Sequence, residues 1–152
     1  MEFKIIETIK PVINVPQGVK VINTIYYPYM VYHIKVIIRR ALGKPASLQG
    51  FVVVDLARAL VLLADSFPDT LTVKVPVNLI IPERISEEKA VNLAKKKMVY
   101  VAMRKFKIML PPKVEVVKCK KVYKQFWLIE LNNKKYIIDS LTGESEEIKW
   151  GA

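Results

Sequence analysis

At 152 residues, 52% of them apolar, the chain has material for a sizeable core and lies outside the composition of disordered proteins. Its net charge is +11, with 20 lysines among 25 basic residues. Such a field attracts nucleic acid, anionic membrane or acidic protein, but the shortage of arginine argues against bidentate base reading. One cysteine, Cys119, and one histidine, His33, exclude a disulfide framework, a cysteine zinc site and a multi-histidine metal site.

Valine and isoleucine together make 37 residues against five glycines and three glutamines, which favours sheet. Low glutamine with abundant lysine also fits a heat-adapted source. The first stretch, Met1 to Lys10, alternates like a strand and does not read as a signal peptide. Pro16-Gln17-Gly18 marks a turn, and Val19 to Ile25 resumes alternation into Tyr26-Tyr27-Pro28-Tyr29-Met30. Val31 to Ile38 is apolar on both faces, as in a strand covered on both sides. Arg39 to Gly50 reads as a long basic loop, and Phe51 to Val54 as a buried strand ending at Asp55.

From Leu56 to Ala64 two readings compete. Propensity favours helix. Comparison with a second unit of the chain favours a turn over Asp55 to Arg58 and a strand from Ala59 to Leu63, and that reading is preferred. After a turn at Pro68-Asp69, Leu71 to Val77 alternates as an edge-type strand containing Pro76. The clearest element is a helix of about 86–104: Ser86 caps it, Glu87 and Glu88 suit its positive end, and Lys105 and Lys107 lie near its close. Ala90, Val91, Ala94, Met98, Val101 and Ala102 share one helix face; Lys89, Lys96, Lys97 and Arg104 lie opposite with Leu93 and Tyr100. After Pro111-Pro112 come Val114 to Val117, a strand over Val122 to Leu131, a hairpin signal at Asn132-Asn133, and a strand over Lys135 to Asp139.

The expected fold is therefore α+β, with antiparallel sheet packed on one main helix. It makes one compact domain over 1–152, with 1–82 and 83–152 as candidate pseudo-repeated halves. Two strand pairs invite comparison. Tyr26 to Met30 precedes Val53-Val54-Asp55, and Tyr123 to Trp127 precedes Ile137-Ile138-Asp139. Either the pair at 19–65 is a diverged copy of the later one, or any two hairpins in so Val/Ile-rich a chain look alike.

The later pair and the helix carry a family resemblance. Ser86-Glu87-Glu88-Lys89-Ala90 opens the helix and Phe126-Trp127-Leu128-Ile129-Glu130-Leu131 forms a strand; Tyr136-Ile137-Ile138-Asp139 and Thr142-Gly143 follow in order. Residues 86–148 resemble a PepSY-type module, which has an acidic helix start, a Trp-containing strand and a Tyr-x-x-Asp-x-x-Thr-Gly turn. The resemblance implies a module that binds or inhibits partner proteins, usually outside the cytoplasm. Independently of it, Asp55 and Asp139 suit turn capping, and Gly143 suits a positive φ.

No Gly-rich nucleotide loop, nucleophile elbow or cofactor motif is present in the sequence. His33 reads as a packing residue, and Cys119, between Lys118 and Lys120, as an ordinary thiol. The stretch Glu83 to Gln125 holds 13 basic and four acidic residues, +9 of the total charge. Its candidate anion-facing residues are Lys89, Lys96, Lys97, Tyr100, Arg104, Lys118, Lys120 and Lys121; the bland alternative is a solvated lysine face. Arg39, Arg40 and Lys44 form a smaller patch, and Tyr27 and Tyr29 are candidate aromatic contacts. The sequence thus points to a non-catalytic binding or regulatory module acting through a protein partner. Sequence-tolerant nucleic-acid binding by the basic helix is the alternative, and an enzyme of scattered polar residues a third class. With no leader or apolar span, the expected compartment is the cytoplasm; homo-oligomers fit either binding reading.

Overall fold

The computed structural model describes residues 2–108 and 110–149. Its strands are β1 (Phe3–Ile9), β2 (Lys20–Ile38), β3 (Ala46–Asp55), β4 (Val61–Ala64), β5 (Thr70–Pro76), β6 (Lys113–Leu131), β7 (Lys134–Asp139) and β8 (Ser145–Glu147). A short 3-10 turn at Val77–Leu79 precedes the helix α1 (Glu87–Lys105). The protein is α+β, and the sheet is mixed rather than purely antiparallel. β1 lies parallel to β6 through Thr8 and Tyr123, and Ile80 forms a parallel bridge to Tyr26. Alternation in β1 and β6 marks them as strands but is blind to their direction.

The stretch running through Pro28 into Val31 to Ile38 forms the single strand β2, whereas the segments flanking Cys119, expected as separate, join into β6. The basic loop is shorter than expected, because Ala46 to Gly50 already pairs with Ile34 to Ile38. The stretch from Leu56 to Ala64 is a turn followed by the short strand β4, opposite Phe51 to Val54. The Asn132-Asn133 hairpin forms with both residues at positive φ, as a two-residue primed turn requires.

The chain divides into two compact units, neither of them a contiguous half. The helix unit comprises Tyr29–Phe67 and Glu83–Lys121. Its strands run in the order β4-β3-β2-β6, and α1 packs on β3 and β4. Tyr32, Ile34, Val36 and Ile38 of β2 and Val52 and Val54 of β3 form the core with Ala90, Ala94, Met98 and Ala102. Three alanines in that stripe let α1 approach the sheet closely, and Gly50 leaves room for Met98. A Cβ built on Gly50 would stand 2.8 Å from Cε of Met98.

The strand unit comprises Met1–Pro28, Pro68–Pro82 and Val122–Ala152. Here β6 is flanked by β1, itself paired with β5, and by β7, which pairs with β8. No α-helix lies among the described residues of this unit. Ile13, Val15 and Val19 instead pack on Trp127, Ile129 and Ile138. A second cluster joins Ile6, Val75 and Tyr123.

Each unit contains a three-strand meander of the same internal register. Tyr29 faces Asp55 as Phe126 faces Asp139. Val54 faces Val61 as Ile138 faces Ser145, and Val53 faces Leu62 as Ile137 faces Glu146.

Candidate functional site: the two aspartate turns and the basic helix unit

The strongest local signals in the sequence, Asp55 and Asp139, form turns that match bond for bond. Oδ1 of Asp55 accepts the amides of Ala57 and Arg58 at 2.9 and 2.8 Å; Oδ1 of Asp139 accepts those of Leu141 and Thr142 at 2.8 and 3.3 Å. The backbone carbonyl of each aspartate then accepts the amide four residues on, from Ala59 and Gly143 respectively. Those two residues both sit at positive φ, 60° and 77°. The residue after each aspartate is fully buried and holds a lead-in segment by its carbonyl. Leu56 accepts from Arg84 and Ile85, just ahead of α1, and Ser140 accepts from Val12 and Ile13.

Asp139 is paired with Lys124, whose ammonium also lies 5.0 Å from the Phe126 ring centroid. Burial alone would raise the Asp139 pKa, but the Lys124 hydrogen bond and the amides of Leu141 and Thr142 outweigh it and hold the carboxyl below the usual aspartate value. Both turns are structural devices, as their sequence position suggests. An open depression beside the Asp139 turn is bounded by Phe126, Ile137, Glu144 and Glu146.

The candidate anion-facing residues all fall in the helix unit, but they do not act as one belt. Lys89, Lys96 and Arg104 are exposed on α1. Lys97 and Arg104 flank Tyr100, at 6.0 and 5.8 Å from its ring centroid, so the one exposed aromatic of the helix already has cations at its face. Lys118 stands 4.9 Å from the Phe67 ring centroid, and Lys120 is half-buried. Lys121 turns inward to Glu83 at 2.5 Å and Glu87 at 3.2 Å. Burial would lower its pKa, but its hydrogen bonds to those carboxylates keep it above the ordinary lysine value. The same corner holds the buried Tyr32 hydroxyl, which has no hydrogen-bond partner among the described residues. Burial first, then Cys119 and Glu87, push Tyr32 up to about 12 against the opposing Lys121.

His33 is half-buried on β2, stacked on Phe51 at 4.7 Å between centroids and bonded through Nε2 to Gln49 at 2.9 Å. Phe67 meets Phe51 edge-on. This aromatic row satisfies itself and leaves no flat platform for a base. Tyr27 and Tyr29 are half-buried, with Tyr27 edge-on to Phe126, so neither stands out as an exposed contact. Cys119 is exposed and free. No group of three or more His, Cys, Asp or Glu among the described residues is placed to hold a metal ion. None of the described helices is long and apolar enough to cross a membrane.

Two features were missed by sequence reasoning. First, the charge is segregated: the helix unit holds 17 basic and six acidic residues, the strand unit eight of each. The whole net charge of +11 thus belongs to one unit. Second, Leu60 beside β4 and Leu62 and Leu63 within it are exposed at 54, 63 and 52%. The matching positions beside and in β8 are Glu144, Glu146 and Glu147, all exposed. Aligning the two strand pairs through their aspartates would have revealed this contrast. Comparison with models of protein families, with curated proteins and with solved structures gave no match.

Proposed function

We propose that the protein is a non-catalytic binding or regulatory module that engages a protein partner through its helix unit. In this reading it is built from two diverged copies of a PepSY-like strand pair, of which the first carries the packed helix α1. The matched registers of the two meanders, the twin aspartate turns and the paired lead-in segments support duplication over chance likeness between hairpins.

The observation that carries the partner reading is the set of three exposed leucines, Leu60 just before β4 and Leu62 and Leu63 in it, within the unit that bears all the net charge. Apolar side chains at a sheet edge suit protein contact and do nothing for a phosphate backbone. Lysine excess and the occupied faces of Tyr100 and Phe51 weigh against base stacking.

The test is retention of a protein from nuclease-treated native lysate on the immobilised full chain, beside titration of random single-stranded and duplex DNA. The expected result is a reproducible protein that survives nuclease treatment, with weak DNA binding. Retention that vanishes with nuclease overturns the reading, especially with DNA binding that falls steeply from about 50 to 200 mM salt and disappears in Lys96→Glu/Lys97→Glu. Backbone-directed nucleic-acid binding by α1 would then take its place.

A further inference from the structure

The antiparallel ladder between β3 and β4 fixes which backbone groups of β4 face outward. The amide of Asp55 donates to the carbonyl of Leu60 at 2.8 Å, so Asp55 and Leu60 form a hydrogen-bonded pair. Such pairs alternate with non-bonded ones along an antiparallel ladder. Val53 with Leu62 is therefore the next bonded pair, and Val54 with Val61 and Val52 with Leu63 are the non-bonded ones. The N–H and C=O of Val61 and of Leu63 thus point away from β3. Among the described strands β4 has no second neighbour.

Exposed edges in folded proteins are ordinarily blunted by charge, proline or brevity. The other edges of this chain follow that rule. β8 is Ser-Glu-Glu, and β5 carries Lys74 and ends at Pro76. β4 is short but reads Val-Leu-Leu-Ala, with Leu60 and Leu62 exposed beside its outward amides. The duplicate position in the same molecule is therefore guarded by three glutamates, while this one is open and apolar.

We propose that the edge of β4 receives an extended, acidic segment of a partner protein as an added strand; this rests on the protein-partner reading above. The charge selects the occupant. The helix unit is +11, and its few carboxylates are largely engaged: Glu83 and Glu87 with Lys121, Glu115 with Lys113, and Asp55 in its turn. α1, which packs on β4, brings Lys89, Lys95, Lys96 and Lys97. A second copy of this chain would set one strongly positive unit against another, whereas a segment alternating carboxylates with aliphatic residues meets both the field and the leucines. Main-chain bonds to Val61 and Leu63 supply register, and Leu62 supplies apolar contact.

The probe is a fluorescein-labelled peptide of about ten residues alternating Asp or Glu with Val, with a Lys-for-acid version as control, titrated against the full chain. Leu63→Pro removes an outward N–H without breaking a bond to β3, and Leu62→Glu recreates the pattern of β8. Both variants are checked for native circular dichroism and urea midpoint. The expected result is binding of the acidic peptide only, with slowed amide exchange at Val61 and Leu63, and at least about tenfold weaker binding in each folded variant. Equal binding by wild type and both variants overturns the proposal, as does no binding by wild type. Loss of binding in Lys96→Glu/Lys97→Glu alone overturns the edge site and leaves the partner reading standing. Concentration-dependent self-association abolished by Leu62→Glu would make a second copy the occupant. Failure of the partner reading itself shows separately, as retention that nuclease destroys.

Discussion

The Asp139 turn offers a perturbation whose size and pH dependence follow from its bonds. In Asp139→Asn the amide oxygen still accepts from Leu141 and Thr142, but the charge facing Lys124 is gone. The two side chains are only 12 and 17% exposed, so Lys124 is left largely desolvated without its counter-ion. A hydrogen bond to a charged partner contributes about 1.5–3 kcal/mol, which sets the expected loss near 2 kcal/mol. Asp139→Ala forfeits the two backbone bonds as well, at about 1 kcal/mol each, for a total near 4 kcal/mol. The assay is urea unfolding followed by tryptophan fluorescence, since Trp127 is buried in the strand unit. The folded pKa of Asp139 is depressed. The pair's contribution is therefore complete above the ordinary aspartate value and lost as pH falls through the folded one. The gap between wild type and Asp139→Asn should be full at neutral pH and close in acid, as the pH falls through a folded pKa that lies below the ordinary aspartate value. A gap that persists in acid, or no gap at neutral pH, would refute the assignment of that stability to the Lys124 pair.

Five smaller changes test the twin turns and the helix. Gly143→Ala should cost, and Ala59→Gly gain, about 1 kcal/mol each by urea midpoint, because the two residues share one left-handed position. Ser140→Ala should raise stability by about 1 kcal/mol, since its buried hydroxyl has no hydrogen-bond partner among the described residues where the matching Leu56 presents only carbon. Ser86→Ala removes the cap that accepts the Lys89 amide and should lower stability by about 1 kcal/mol, seen as a reduced thermal midpoint. Gly50→Ala pushes on the mobile end of Met98, at an expected cost of about 1 kcal/mol, which Met98→Leu should alter if the contact is the cause.

Local chemistry was legible in the chain wherever one residue dictates it. Ser86 with Glu87 and Glu88 marks a helix start; the structure places the helix at Glu87–Lys105 with Ser86 accepting from Lys89. Asn132-Asn133 marks a hairpin, and each aspartate after an aliphatic run marks a capped turn. The preferred turn-then-strand reading after Asp55 came from comparing the two pairs, where propensity alone favours helix. What stayed hidden depends on partners distant in sequence. Nothing near Thr8 announces a parallel neighbour at Tyr123. The basic belt looked continuous because a linear count cannot see Lys121 turn inward to Glu83 and Glu87. That Leu60, Leu62 and Leu63 lie at an exposed edge follows from the order of the strands, which alternation along one strand does not give.

That neither unit is a contiguous stretch bears on how the chain is made as much as on how it is built. Tyr123, the neighbour of Thr8, and Trp127, on which Ile13 packs, leave the ribosome more than a hundred residues later. Synthesis at about 5–20 residues per second leaves these Val/Ile-rich strands unpaired for several seconds. The helix unit must wait as well, because Tyr29 to Phe67 closes only on α1 and β6. Folding of this chain thus waits for its later strands and is dominated by distant pairings. The nascent strands, rather than the finished fold, are the stage at which a chaperone would matter most.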